Sequence, residues 1–164
     1  MIKKILFKSL LCLIFPVIVL AAGSSGDGDS SKTKTNYEKA VSFIKKAKNF
    51  EKNGKIDKAE KNYKKAQNLL IKSNKDKPNK ADTLNYLGFT TRKLGDYKNG
   101  EKYYLQGLSI EPNHIGINEY LGELYVATKR VDLAKERLKI LENCNCNEFD
   151  DLKAIIEGTK KSKY

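Results

Sequence analysis

Histidine is almost absent: His114 is the only one, and the 164 residues hold just three cysteines and three prolines. Without histidine pairs the chain lacks the most common general base and the most common metal ligand. It has no glycine-rich phosphate loop, no nucleophile elbow and no His–Glu metal motif. His114 falls in a short connection between two helical patterns, where an exposed loop residue is expected rather than a base. Asp150 and Asp151 sit together at the start of a helical pattern and suit its positive dipole end. No catalytic, cofactor-binding or metal-ligating set is therefore expected, and the chain reads as a non-enzyme.

Long apolar runs are also scarce. The one at Ser9 to Leu20 follows Lys3, Lys4 and Lys8, is interrupted by Pro16, and gives way to Ala21, Ala22 and Gly23. A basic start, a short apolar stretch and small residues at the exit describe a secretory signal peptide, assigned to residues 1–22. An uncleaved anchor would need about 20 apolar residues without an internal charge. Cys12 lies inside the run and starts no mature domain, which argues against a lipidated N-terminus. Residues 23–36 are small and polar and read as a flexible linker. Export, to the periplasm, follows as the expectation. Loss of Lys3, Lys4 and Lys8 takes the formal charge from +12 to +9.

Arginine is missing from Lys32 to Lys80, and carboxylates are few. Sixteen lysines there face Glu38, Glu51, Asp57, Glu60 and Asp76, a net of +11, whereas Ala81 to Glu148 carries nine basic and ten acidic residues. Such a basic front half suits an anionic membrane or an acidic partner, or simply a solvated helix face. Nucleic acid is disfavoured by export and by the lack of arginines or aromatics clustered among the lysines.

From residue 37 onward the apolar spacing is helical, and no run alternates as a half-buried strand would. Pro78 and Pro112 each precede a new helical pattern, and Gly54 and Gly95 punctuate the middle of a hairpin. Asn85-Tyr86-Leu87-Gly88 returns 34 residues later as Glu119-Tyr120-Leu121-Gly122. That period is one used by helix-turn-helix repeats. In residues 81–114, Leu84, Leu87, Gly88, Gly95, Tyr97, Gly100, Tyr104, Gly107, Leu108 and Pro112 form a pattern that resembles the tetratricopeptide repeat. Residues 115–148 match at Leu121, Gly122, Tyr125, Ala134 and Leu138, but carry Lys129 for the turn glycine and Cys146 for the closing proline. Residues 37–80 form a more divergent hairpin, with Phe43, Ala47, Phe50, Gly54, Ala59, Tyr63 and Ala66 in place, Lys46 at the signature leucine, and a longer second helix.

The resemblance implies an all-α fold: a right-handed superhelical array of three antiparallel helix hairpins plus a C-terminal capping helix. Residues 149–164 supply the cap and tail, with Phe149, Leu152, Ile155 and Ile156 on one face and an end near Gly158. Small residues such as Gly88, Gly100 and Gly122 let helices approach, while Phe50, Tyr63, Tyr104 and Tyr125 fill the space between hairpins. Repeats of this kind bury one continuous core only when stacked.

The resemblance further implies a protein-interaction scaffold whose first helices line a concave groove. Carried over position by position, the groove-facing candidates are Ile44, Lys48, Asn85, Phe89, Arg92, Glu119 and Glu123. Phe89, at a usually exposed position, is the candidate anchor for a peptide or helix of a partner protein. The mixed signs of Arg92, Glu119 and Glu123 do not reproduce a basic clamp for a C-terminal carboxylate. Two other roles stay open: an envelope-associated structural protein resting its lysine-rich hairpin on an anionic surface, and a thiol redox or metal-handling protein. The last would use Cys144 and Cys146. That pair also fits a disulfide or two free thiols, and the oxidising destination favours the bond.

Overall fold

The computed structural model describes residues 34–162, so the expected signal segment and nearly all of the expected linker lie outside the described residues. Seven helices and no strand occur among the described residues: α1 (Asn36–Lys52), α2 (Ile56–Asp76), α3 (Ala81–Lys93), α4 (Tyr97–Ile110), α5 (Ile115–Ala127), α6 (Val131–Leu141) and α7 (Asn147–Ile156). Helices α1 and α2, α3 and α4, and α5 and α6 pair as hairpins, and α7 packs on both α5 and α6.

Local chemistry sets the boundaries. Thr35 and Glu38 close a reciprocal capping box at the start of α1, each satisfying a backbone N–H of the other. The hairpin turns pass through a left-handed residue just after the first helix: Gly54 at φ +68°, Gly95 at φ +91° and Lys129 at φ +62°. Glycine takes that conformation without cost, whereas Lys129 carries about 1–2 kcal/mol of steric penalty. Lys77 and Glu111 are extended, at φ −138° and −127°, as the residue before a proline must be, and α2 and α4 end there.

The third junction differs. Cys146 stands 34 residues after Pro112 and is itself the residue preceding the helix, so α7 begins at Asn147 rather than near Phe149. The chain thus enters α7 two residues earlier than the repeat register implies. Gly158 follows the end of the helix at φ +74°.

The repeated phrase works through its glycines. A Cβ on Gly88 would lie 2.5 Å from the Tyr104 ring, and one on Gly122 would lie 2.6 Å from Leu152. The same repeat position thus admits the second helix of its own hairpin in one unit and the capping helix in the next. One buried cluster spans Ala40, Ile44, Tyr63, Leu70 and Leu84 to Phe89, and another spans Tyr104, Ile117, Leu121 and Leu124. Tyr120 packs against both and joins them.

Candidate functional site

The backbones of successive first helices approach closely, α1 with α3 and α3 with α5, whereas those of the second helices α2, α4 and α6 stand farther apart. Rods that converge on one side and diverge on the other curve toward the convergent side. Helices α1, α3 and α5 therefore form the inner face of the array.

Aromatic rings run along that face. Tyr37 of α1 meets Tyr86 of α3 at 5.9 Å between centroids, and Phe89 meets Tyr120 of α5 at 5.1 Å. Tyr63 closes on Phe89 edge-on from α2 at 5.8 Å. The Lys48 ammonium stands 4.6 Å from the Phe89 centroid and donates to the Tyr120 hydroxyl at 3.2 Å. One lysine of the first hairpin thereby reaches the third, in a contact of the cation–π type. Beneath it, Arg92 Nη1 donates to the Tyr120 carbonyl at 2.6 Å, and Arg92 Nη2 faces Glu123 Oε2 at 3.5 Å. Lys93 pairs with Glu51, which also accepts from the Tyr63 hydroxyl at 2.9 Å.

The proposed groove residues are brought together, but mostly below the surface. Ile44 is 2 % exposed, Phe89 1 %, Arg92 1 % and Glu123 0 %, with Asn85 and Glu119 also buried. The expectation that Phe89 projects as an exposed anchor is therefore corrected: Tyr63, Tyr120 and Lys48 enclose its ring. Of the seven candidates only Lys48 is exposed. The half-buried inner-face residues are instead Tyr37, Tyr86 and Tyr120. Tyr86 and Tyr120 hold the same place in the repeated phrase, 34 residues apart. Their only signal in the sequence is that shared place, which marks a repeat position without fixing which face it serves.

Electrostatics follow from this burial. Burial first, then Asp82 and Tyr86, push the Tyr37 phenol up to about 12. Burial and Asp82 raise Tyr86 in the same direction. Burial pulls the Arg92 guanidinium down while Tyr104 and Glu123 pull it back up. Arg92 keeps its charge because its pKa starts so high, and its geometry commits it to Tyr120 and Glu123 inside the fold.

His114 is not the exposed loop residue expected from the sequence. It caps α5, accepting from the Ile117 N–H at 3.2 Å through Nδ1, and its Nε2 lies 3.2 Å from Asp82. Its side chain is only 12 % exposed. Cys144 and Cys146 are joined by a disulfide with their Cα atoms 5.2 Å apart, around a left-handed Asn145. Among the described residues no group of three or more His, Cys, Asp or Glu side chains is placed to hold a metal ion. A cleft of about 550 Å³ opens where α1 and α3 begin and α2 ends, lined by Thr35, Tyr37, Asp76, Lys77, Lys80 and Asp82.

Stacked hairpins with an inner row of first helices define a helical-hairpin repeat scaffold. Residues 81–114, which contain α3 and α4, match the family model of the tetratricopeptide repeat. The chain is similar to the Sol locus transcriptional repressor of Clostridium acetobutylicum, 40% identical over 72 residues. That stretch is 43% of this chain and 22% of the relative, so the chain spans about a fifth of the relative's length. Among solved structures, it is similar to the first TPR of Spaghetti (RPAP3) bound to the HSP90 peptide SRMEEVD. The TM-score is 0.53 at 16% identity, covering 76% of this chain and 95% of that one, which establishes a shared fold.

Proposed function

We propose that this protein is an exported, non-enzymatic scaffold that binds a peptide segment or helix of a partner protein on its inner face. The observation that carries this reading is the pair Tyr86 and Tyr120, partly exposed at equivalent repeat positions, with Lys48 beside Tyr120. Rigid aromatic side chains with polar tips give contact area at low entropic cost. The fold neighbour's bound peptide supports a peptide ligand for this architecture. Arg92 is not assigned to ligand binding, because it is held by Glu123 and Tyr120 inside the fold. Phe89 and Arg92 act here as supports that fix Tyr120, while Tyr37, Lys48, Tyr86 and Tyr120 meet the partner. The N-terminal signal-like segment supports export to the periplasm, and the bonded Cys144–Cys146 pair is in keeping with an oxidising compartment.

Quantitative co-purification from the native host tests the assignment. Tyr86→Ala and Lys48→Glu are expected to deplete the same partner at least tenfold, while Lys98→Glu on the outer helix α4 leaves it at the wild-type level. Equal recovery with all three variants would overturn the inner-face reading.

A further inference from the structure

We propose that the outer side of the first hairpin is a docking surface for an anionic lipid bilayer, separate from the inner face that meets the protein partner. Phe43 and Phe50 lie two turns apart on α1, half-buried along its seam with α2. Ammonium groups stand over both rings: Lys46 at 5.4 Å and Lys65 at 5.7 Å from the Phe43 centroid, and Lys58 at 5.9 Å from that of Phe50. With about 100° of turn per residue, Lys58, Lys61, Lys65 and Lys72 share an arc of roughly 60° on α2. All four are exposed, opposite or beside the buried stripe Ala59, Tyr63, Ala66 and Leu70.

Four of the hairpin's five carboxylates are engaged away from this patch, while Asp57, exposed in the first turn of α2, sits beside Lys58 and Lys61 and offsets one of their charges. Glu38 caps α1, Glu51 holds Tyr63 and Lys93, Glu60 pairs with Lys64, and Asp76 accepts from Asn36. The lysines along the seam therefore present a positive field with apolar ring edges between them. That combination fits the headgroup zone of a bilayer, where cations sit on phosphates and aromatic edges reach the acyl boundary.

Three features favour a lipid surface over a polyanionic chain. Every cation from residue 32 to 80 is lysine, a point charge with no fork for pairing a carboxylate or phosphate in fixed geometry. The charges are spread over two helices, and α2 alone, at 21 residues, is about 30 Å long, which matches a sheet of anions better than one strand. The two rings are half-buried between the helices, so neither offers an open platform for stacking a base.

Binding of the full chain to vesicles tests the surface. Zwitterionic phosphatidylcholine vesicles are compared with vesicles of the same lipid plus one-third phosphatidylglycerol, so that any insertion by the apolar N-terminal segment is common to both. Wild type is expected to bind the anionic vesicles at least tenfold more tightly, with the preference lost in high salt. Lys46→Glu/Lys58→Glu/Lys65→Glu is expected to lose that preference. Lys98→Glu/Lys102→Glu/Lys135→Glu, an equal change in net charge elsewhere, is expected to keep it. Helical circular dichroism and melting confirm that both variants fold; a triple variant that fails to fold is replaced by the same three positions changed to Gln. Equal binding to both vesicle types, equal loss in both triple variants, or tighter binding to single-stranded DNA or polyglutamate than to anionic vesicles would overturn the proposal.

Discussion

Replacing Arg92 with alanine is expected to remove a large share of the fold's stability, because Arg92 is buried against Glu123 and Tyr120. Both Arg92 and Glu123 have side chains that are 0% exposed, and Arg92 also donates to the Tyr120 carbonyl at 2.6 Å. Their pairing gains little over an apolar pair, because two charges had to leave water to make it. Removing only the cation leaves Glu123 charged in the interior, and breaking a buried pair in this way costs about 3–5 kcal/mol. For a domain of this size each kcal/mol lowers the melting temperature by roughly 3–5 °C, so a loss of about 10–20 °C is expected. Thermal and urea unfolding followed by circular dichroism measure it. Arg92→Met/Glu123→Leu should recover most of the loss, since neither charge then remains unpaired. A single variant that loses less than about 1 kcal/mol, or a double variant whose loss equals the sum of the two single losses, would refute this account of the inner face.

Three further outcomes follow from packing, titration and the short crosslink. Gly122→Ala places a methyl 2.6 Å from Leu152 and should cost about 1–3 kcal/mol despite alanine's better helix propensity, as read by urea unfolding. Tyr37 has its phenol raised from 10.0 to about 12, so its contribution is fully present below pH 10 and is lost as pH rises toward 12. Wild type should therefore lose melting temperature more steeply across that window than Tyr37→Phe, and equal slopes would remove Tyr37 from the explanation. Cys144→Ser/Cys146→Ser should cost only about 1–2 kcal/mol, because a loop this short restricts the unfolded chain little.

The hairpin boundaries were legible because they depend on local chemistry: Pro78, Pro112, Gly54 and Gly95 act on the backbone beside them. The close packing at Gly88 and Gly122 was legible for a related reason, since the repeated phrase fixes a small residue at the same helical position. Exposure on the inner face was not legible. Whether Phe89 is open or enclosed depends on how tightly successive hairpins curve, and the contact that encloses it joins Lys48 to Tyr120 across 72 residues. No local pattern encodes that distance. The seven groove candidates lie on α1, α3 and α5, but six of them are buried, and Tyr86 and Tyr120 are more exposed. His114 was misplaced because a histidine between helices reads as loop; its capping bond to Ile117 is local, but the contact with Asp82 that helps cover it needs the preceding hairpin in position.

In the proposed function the inner face, through Tyr86 and Tyr120, meets a partner peptide. Site-specific photo-crosslinking tests it most directly, with a benzophenone side chain introduced at Tyr86 or, as the outer-face control, at Leu105, which is 47% exposed on α4. The expected result is one defined crosslinked partner from position 86, joined through a single peptide segment by mass spectrometry, and none from position 105. Crosslinks from position 105 to that partner with none from position 86 would contradict the account.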